Sequence, residues 1–110
     1  MPLGEFDIIE RFFSRGSRRA DVILGVGDDG AVLDVPAQTR LVAAMDTLVE
    51  GVHFPSGTAG SYIGHRALAV NLSDIAAMGA APAWATLSLA IPAADEVWLE
   101  HFARGFYELA

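Results

Sequence analysis

The chain has 110 residues, of which 53% are hydrophobic and 19% charged, and this length suits one domain with a sizeable core. Its net charge of −7 argues against a nucleic-acid partner. Because no apolar run of about 20 residues and no signal-peptide pattern is present, we expect a cytoplasmic protein without a membrane span. The lack of cysteine excludes disulfides and thiolate metal sites, so the expected metal is a hard cation such as Mg²⁺ or Ca²⁺ bound by oxygen.

Apolar residues recur at three-to-four spacing in residues 5–15, which predicts an amphipathic helix. Gly16 and Ser17 follow and end it. Two short apolar runs, residues 22–24 and 31–33, then flank a glycine-rich loop. They predict a strand, a loop and a second strand.

The loop between these strands contains three glycines and two adjacent carboxylates, Asp28 and Asp29. Glycine lets a ligand approach the backbone, and carboxylates without a basic neighbour favour a cation. The segment matches G-x-G-x-x-G literally, but a dinucleotide-binding loop needs a helix directly after it, and here β-branched residues and Pro36 follow. A solvated acidic hairpin turn remains the alternative at this point.

The middle of the chain predicts a strand followed by a loop. Residues 41–45 are a continuous apolar run typical of a buried strand, and Asp46 ends it at the rim of the sheet. Residues 47–58 have no clear period, so they predict a loop, which carries Glu50 and His53.

The last third of the chain predicts helix, strand and helix. Residues 61–78 give the longest helical pattern, which Gly79 ends, and Asn71 and Asp74 share one stripe of it at i and i+3. Residues 83–91 alternate in the manner of a half-buried strand, and a final helix begins near Asp95. The whole order predicts an α+β fold, a mostly antiparallel four-stranded sheet with helices packed on one face.

Acidic residues therefore lie at three predicted element ends: Asp28 with Asp29, Asp46, and Asp74 beside Asn71. If they converge, they form an oxygen-rich site for Mg²⁺, which takes about six oxygen ligands and completes its shell with waters and substrate phosphates. Singly, each has a simpler interpretation as a turn residue, a solvated helix charge or a surface amide. The residues alone leave both interpretations open.

Four segments, residues 4–6, 25–29, 46–54 and 67–80, resemble in order and spacing those of the thiamine-monophosphate kinase family. Together they extend over nearly the whole chain. The helical segment 67–80 alone is similar to a wider superfamily of ATP-dependent enzymes that includes aminoimidazole ribonucleotide synthetase. The Asp-Thr-Leu-Val-x-Gly-x-His-Phe pattern of residues 46–54 resembles the thiamine enzymes in particular.

This resemblance implies transfer of the γ-phosphoryl group of ATP to thiamine phosphate, which gives thiamine diphosphate and ADP, with several Mg²⁺ ions. It implies that Asp29, Asp46 and Asp74 are metal ligands. It also implies that His53 contacts the substrate.

By the same resemblance, Gly27, Asp28 and Asn71 are expected near the phosphates of the nucleotide. Ala44 and Met45 stand where the family often has hydroxyl residues, which leaves the number of metal ions open. No side chain is expected to act as a catalytic base, because a phosphate acceptor is already largely ionised near pH 7.

The resemblance further implies that residues 1–110 are the N-terminal ATP- and Mg²⁺-binding and dimerisation domain of a longer enzyme whose C-terminal domain is absent. We expect a homodimer, because the hydrophobic content exceeds what one small domain can bury, and we expect the isolated chain to be inactive. One alternative is another superfamily member that acts on a different phosphorylated or carboxylated substrate. The other is a non-catalytic cation-binding or dimerisation module.

Overall fold

The computed structural model describes residues 3–14, 19–27 and 30–110, and the chain divides into two compact units, Met1–Leu41 and Val42–Ala110. The first unit contains helix α1 (Glu5–Phe13) and strands β1 (Val22–Leu24) and β2 (Val32–Leu33). The second contains helices α2 (Gly60–Ala77) and α3 (Glu96–Leu109). None of the described helices is both long enough and apolar enough to cross a membrane.

In the first unit, α1 begins where the Gly4 N–H donates to the Asp7 carboxylate over 3.0 Å. Its side chain Phe12 is buried, whereas Phe6 is 81% exposed. Strands β1 and β2 pair antiparallel, as predicted, with Val22 opposite Leu33.

A charged pair lies just before β1. The Arg19 guanidinium donates to both carboxylate oxygens of Asp21 at 3.0 and 2.8 Å. This hydrogen bond and the charge of Asp21 raise the pKa of Arg19, which stays a cation at all ordinary pH values.

The second unit is built on close contact between α2 and α3. A methyl group added at Gly60 would lie 2.5 Å from the Trp98 carbonyl oxygen, and one added at Gly64 would overlap the Phe102 carbonyl. Gly105 makes the reciprocal approach to the Ser61 carbonyl. Because glycine has no Cβ, the two helix backbones touch directly at this crossing.

Large apolar side chains surround this crossing. Ile63 of α2 and Leu99 and Phe102 of α3 are at most 1% exposed. The Trp98 ring stacks on Phe102 with centroids 5.3 Å apart, and the Trp98 indole N–H donates to the Thr58 carbonyl over 3.2 Å. Leu99 and Phe102 therefore form the centre of the buried face of α3.

The contacts also give the relative direction of the two helices. Gly60 approaches Trp98 and Phe102, whereas Gly64, one turn later, approaches Phe102 and Phe106. The helices therefore run in the same direction, and the chain between them returns along their length. That return spans about 27 Å for an 18-residue helix, which an extended segment covers easily.

The ends of both helices agree with the predictions. Gly79 has φ +71, and the Ala80 N–H donates to the Ile75 carbonyl, which together end α2 in a Schellman motif. Asp95 caps α3, because its carboxylate accepts from the N–H groups of Val97 and Trp98 at 3.0 and 3.1 Å.

The four-stranded sheet is a correction to the prediction, because the described residues contain one two-stranded sheet, β1–β2. Residues 41–45 are not a buried strand, and Leu41 and Met45 are each 60% exposed. Residues 83–91 run in the return connection between α2 and α3 without strand pairing. Apolar patterning reports which side chains avoid water, but a strand also needs a neighbouring backbone, which no local pattern supplies.

Candidate metal and phosphate site

The predicted site residues of the first unit are only partly described. Asp28 and Asp29 lie outside the described residues. Gly27 has φ +112, a conformation that L side chains rarely adopt, and no atom lies within 4 Å of the position its Cβ would occupy. Glycine is therefore required by the backbone at this position, and the space beside it is open.

Asp46 lies in a segment without regular secondary structure near the start of the second unit and is exposed. Its carboxylate has no hydrogen bond or ion pair with any other described residue. It lines a small cavity together with Ile63 and Ala67 of α2. That cavity measures about 10 Å³, room for one water at most, so a phosphate ligand would bind outside it.

Asn71 and Asp74 both lie on α2, as predicted, and they differ in exposure. Asn71 is half-buried, and its amide nitrogen donates to the Ala67 carbonyl over 2.8 Å. The amide oxygen is buried and has no partner among the described residues. Asn71 therefore presents an acceptor, which suits a cation or an N–H or O–H donor and cannot pair with a bare phosphate oxygen.

Asp74 is exposed in the last turn of α2, where no basic residue is present. The carbonyl end of a helix carries a partial negative charge, which repels a carboxylate and attracts a cation. The repulsion costs about 0.3–1 kcal/mol at an exposed position. This arrangement is unfavourable for the free protein and becomes favourable when a cation binds beside Asp74.

The His53 ring is oriented by a hydrogen bond within its own loop, and the His53 backbone is bound by a residue of α2. The Val49 N–H donates to His53 Nδ1 over 2.9 Å, and Arg66 donates to the His53 carbonyl over 3.1 Å. Because Nδ1 accepts a hydrogen bond, the neutral ring carries its proton on Nε2. The exposed ring therefore offers an N–H donor to solvent or to an anionic ligand.

The donor set fits a hard cation such as Mg²⁺, since the carboxylates of Asp46 and Asp74 and the amide oxygen of Asn71 have no partner among the described residues. No three histidine, aspartate or glutamate side chains in the described ranges are close enough to hold a metal by themselves. Ala44 and Met45 add no oxygen ligand. The described residues thus form no complete coordination shell by themselves.

Sequence reasoning missed two features of the second unit. The Thr47 hydroxyl donates to the Ser88 hydroxyl over 2.8 Å, a contact between residues 41 positions apart. A groove of about 300 Å³ is lined by Glu50, Asp95, Trp98 and His101, among others. None of the predicted site residues lines this groove, and no sequence motif marks either feature.

Comparison with known proteins identifies relatives over the whole chain. Thiamine-monophosphate kinase of Escherichia coli K12 is 50% identical over 110 residues, which are 99% of this chain and 34% of that protein. The enzyme of the same name from Synechococcus elongatus is 51% identical over 81 residues, 72% of this chain and 25% of that protein. The chain thus spans about a third of the length of its curated relatives.

A solved structure gives the same result. The crystal structure of thiamine-monophosphate kinase from Stenotrophomonas maltophilia K279a superposes with a TM-score of 0.77 at 52% sequence identity, over 98% of this chain and 34% of that one. Residues 27–110 match the family described as AIR synthase related protein, N-terminal domain. The α+β arrangement described above is therefore the N-terminal domain fold of that family. The chain belongs to the AIR synthase related protein family.

Proposed function

We propose that the chain is the N-terminal part of a thiamine-monophosphate kinase, which transfers the γ-phosphoryl group of ATP to thiamine phosphate and releases thiamine diphosphate and ADP. The observation that carries this proposal is the 50% identity to the Escherichia coli enzyme of that name across 110 residues. In this proposal residues 1–110 form the ATP- and Mg²⁺-binding domain, and the C-terminal domain lies beyond them.

Within that enzyme, Asp29, Asp46 and Asp74 are the proposed ligands of Mg²⁺. The exposure of Asp46 and Asp74 and their lack of partners among the described residues support the assignment. Bound Mg²⁺ would screen the charge of two polyanionic substrates and of the transferred group. Gly27 and Asp28 belong to the proposed phosphate-binding loop, and Asn71 adds an acceptor oxygen on the same helix as Asp74.

The proposed reaction needs no general base from the protein. A phosphate monoester has a second pKa of about 6, so the acceptor oxygen is already largely ionised at neutral pH. The task left to the side chains is to bind and orient two anions. The Nε2–H of His53 is suited to that task, because it can donate to a phosphate oxygen of the substrate.

The direct test is an assay of the complete protein with ATP, Mg²⁺ and thiamine phosphate. Formation of thiamine diphosphate and ADP is the expected result. Turnover only with another phosphorylated or carboxylated acceptor would move the proposal to a different member of the family. If calorimetry instead detects Mg²⁺ binding that ATP analogues do not alter, the chain is a cation-binding module, because a kinase site shares phosphate oxygens with the metal.

Two substitutions at His53 separate its outward contact from its contact with the loop. His53→Asn keeps an acceptor near the Nδ1 position for the Val49 N–H and removes the outward donor. We expect it to raise KM for thiamine phosphate by about tenfold, the effect of one charge-assisted hydrogen bond. KM for ATP should stay within about twofold, since one lost contact affects only the ligand that makes it.

His53→Gln is the complementary variant, because it restores a donor near the Nε2 position while it loses the bond to Val49. Steady-state kinetics on both variants distinguish the roles. Equal KM values for thiamine phosphate in the wild type and His53→Asn would limit His53 to a loop-packing role.

We also propose that the chain dimerises. Large apolar side chains remain exposed in both units, among them Ile23 at 61%, Val32 at 51% and Met45 at 60%. Contiguous exposed apolar surface commonly marks an interface, and the unpaired segment 41–45 offers backbone groups to a second copy. Light scattering on the isolated 110 residues should give the mass of a dimer at micromolar concentration. A kinase assay on the same fragment should detect no activity. A monomer throughout that range, or measurable thiamine diphosphate, would contradict this.

A further inference from the structure

Two half-buried hydroxyl groups connect the segment that carries Asp46 to the return connection between α2 and α3. The Thr47 hydroxyl donates to the Ser88 hydroxyl over 2.8 Å. Thr47 immediately follows Asp46 in the chain, and Ser88 lies near the middle of residues 83–91. The same two stretches meet again at the small cavity, which Asp46, Leu48 and Ser88 all line.

The position of the Asp46 carboxylate depends on its backbone. No described residue forms a hydrogen bond or ion pair with this carboxylate, so nothing fixes it directly. Residues 41–49 also lack strand pairing, which would otherwise fix the backbone. Val49 is held by backbone bonds to Val52 and His53. Closer to Asp46, the main chain is held by the packing of Leu48 and the hydroxyl bond of Thr47.

We propose that Ser88 is a positioning residue for Asp46, acting through the hydroxyl of Thr47. This inference rests on the proposed role of Asp46 as a metal ligand. A carboxylate on a fixed backbone loses less conformational freedom when it coordinates a cation, so the hydroxyl bond strengthens metal binding without touching the metal.

A purely structural role makes a different prediction. If the two half-buried hydroxyls only satisfy each other, removing one lowers the stability of the fold, because the other is left without a partner. Such a loss would not change the affinity of the folded protein for a cation. Metal affinity, measured apart from thermal stability, therefore separates the two roles.

The experiment uses the complete protein and the variants Ser88→Ala, Thr47→Val and the double variant. Mn²⁺ serves as the probe and its dissociation constant is measured by calorimetry in the absence of ATP. Each single variant should weaken Mn²⁺ binding about fivefold, the effect of one neutral hydrogen bond. The double variant should be no weaker than either single variant, because both remove the same bond.

Two control variants complete the design. Thr86→Val removes an exposed hydroxyl from the same segment as Ser88 and should leave Mn²⁺ affinity unchanged. Ser88→Thr keeps a hydroxyl and should restore most of the affinity lost in Ser88→Ala. A lower melting temperature with unchanged Mn²⁺ affinity, or fully additive losses in the double variant, would overturn the proposal.

The outcome also separates this inference from the proposed function. If the wild type makes thiamine diphosphate but Ser88→Ala binds Mn²⁺ normally, only the role of Ser88 is overturned. If Ser88→Ala weakens Mn²⁺ binding in a protein that makes no thiamine diphosphate, the role of Ser88 stands and the kinase proposal is overturned. A wild type that binds no Mn²⁺ would overturn the role of Ser88, and the thiamine diphosphate assay alone would then decide the kinase proposal.

Discussion

Replacing Gly64 with alanine is expected to destabilise the α2–α3 pair by about 2 kcal/mol net, and replacing it with valine by more. Alanine favours a helix over glycine by about 1 kcal/mol, which on its own would be stabilising. That gain is outweighed, because the added methyl group would overlap the Phe102 carbonyl and lie 3.0 Å from the Phe106 nitrogen. These are backbone atoms, so the helices must move apart and expose the buried ring of Phe102.

Gly30→Ala is the matched control for this substitution. Gly30 has no atom within 4 Å of its Cβ position, so the same added methyl group meets no obstacle there. Hydrogen–deuterium exchange on peptides from α2 and α3 of the complete protein should show faster exchange for Gly64→Ala and little change for Gly30→Ala. Wild-type exchange rates in Gly64→Ala would contradict the close helix crossing.

Asp74→Asn is expected to reduce kinase activity by about tenfold or more, since it keeps the shape of a proposed ligand and removes its charge. The same substitution should slightly raise the stability of the metal-free protein. The carboxylate of Asp74 lies in the last turn of α2 without a basic neighbour, so its removal relieves about 0.3–1 kcal/mol of repulsion from the helix dipole.

Opposite signs for activity and stability make this prediction specific. Turnover at limiting Mg²⁺ measures the activity, and thermal denaturation in the presence of a chelator measures the stability of the metal-free protein. Asp34→Asn, in the first unit and outside the resembling segments, removes the same charge and should change activity little. Unchanged turnover of Asp74→Asn at limiting Mg²⁺ would remove Asp74 from the proposed site.

The helices were predictable because their signals are local. The period of residues 61–78, the stop at Gly79 and the cap at Asp95 are all contained in a few neighbouring residues, and the observed bounds of α2 and α3 follow them closely. The predictions of strands at residues 41–45 and 83–91 were wrong, because strand pairing depends on a distant backbone. Residues 83–91 lie in the connection that returns along two parallel helices, and no local window of sequence reveals that helix direction.

The candidate site shows the same division. The residue types at Asp46, His53 and Asp74 were readable from the chain, and so was their chemistry. The atom that each side chain leaves free was not. His53 offers Nε2 because Val49 occupies Nδ1, and Asn71 offers its oxygen because Ala67 occupies its nitrogen. Gly60 and Gly64 lie four positions apart, a spacing typical of close helix contact, but the backbone atoms they approach belong to Trp98 and Phe102 of the distant helix α3.

The parallel direction of α2 and α3 has a consequence for how this unit folds. Each helix forms from contacts within a few residues, but their interface joins positions about 40 apart, as in the bond from Trp98 to Thr58. A hairpin of two antiparallel helices could dock as soon as a short turn closed. Here the contact closes the longer loop of the return connection, and this loop-closure entropy is lost before the glycine crossing contributes any stabilisation. We therefore expect α3 to dock on α2 more slowly than the second helix of an antiparallel helix hairpin would.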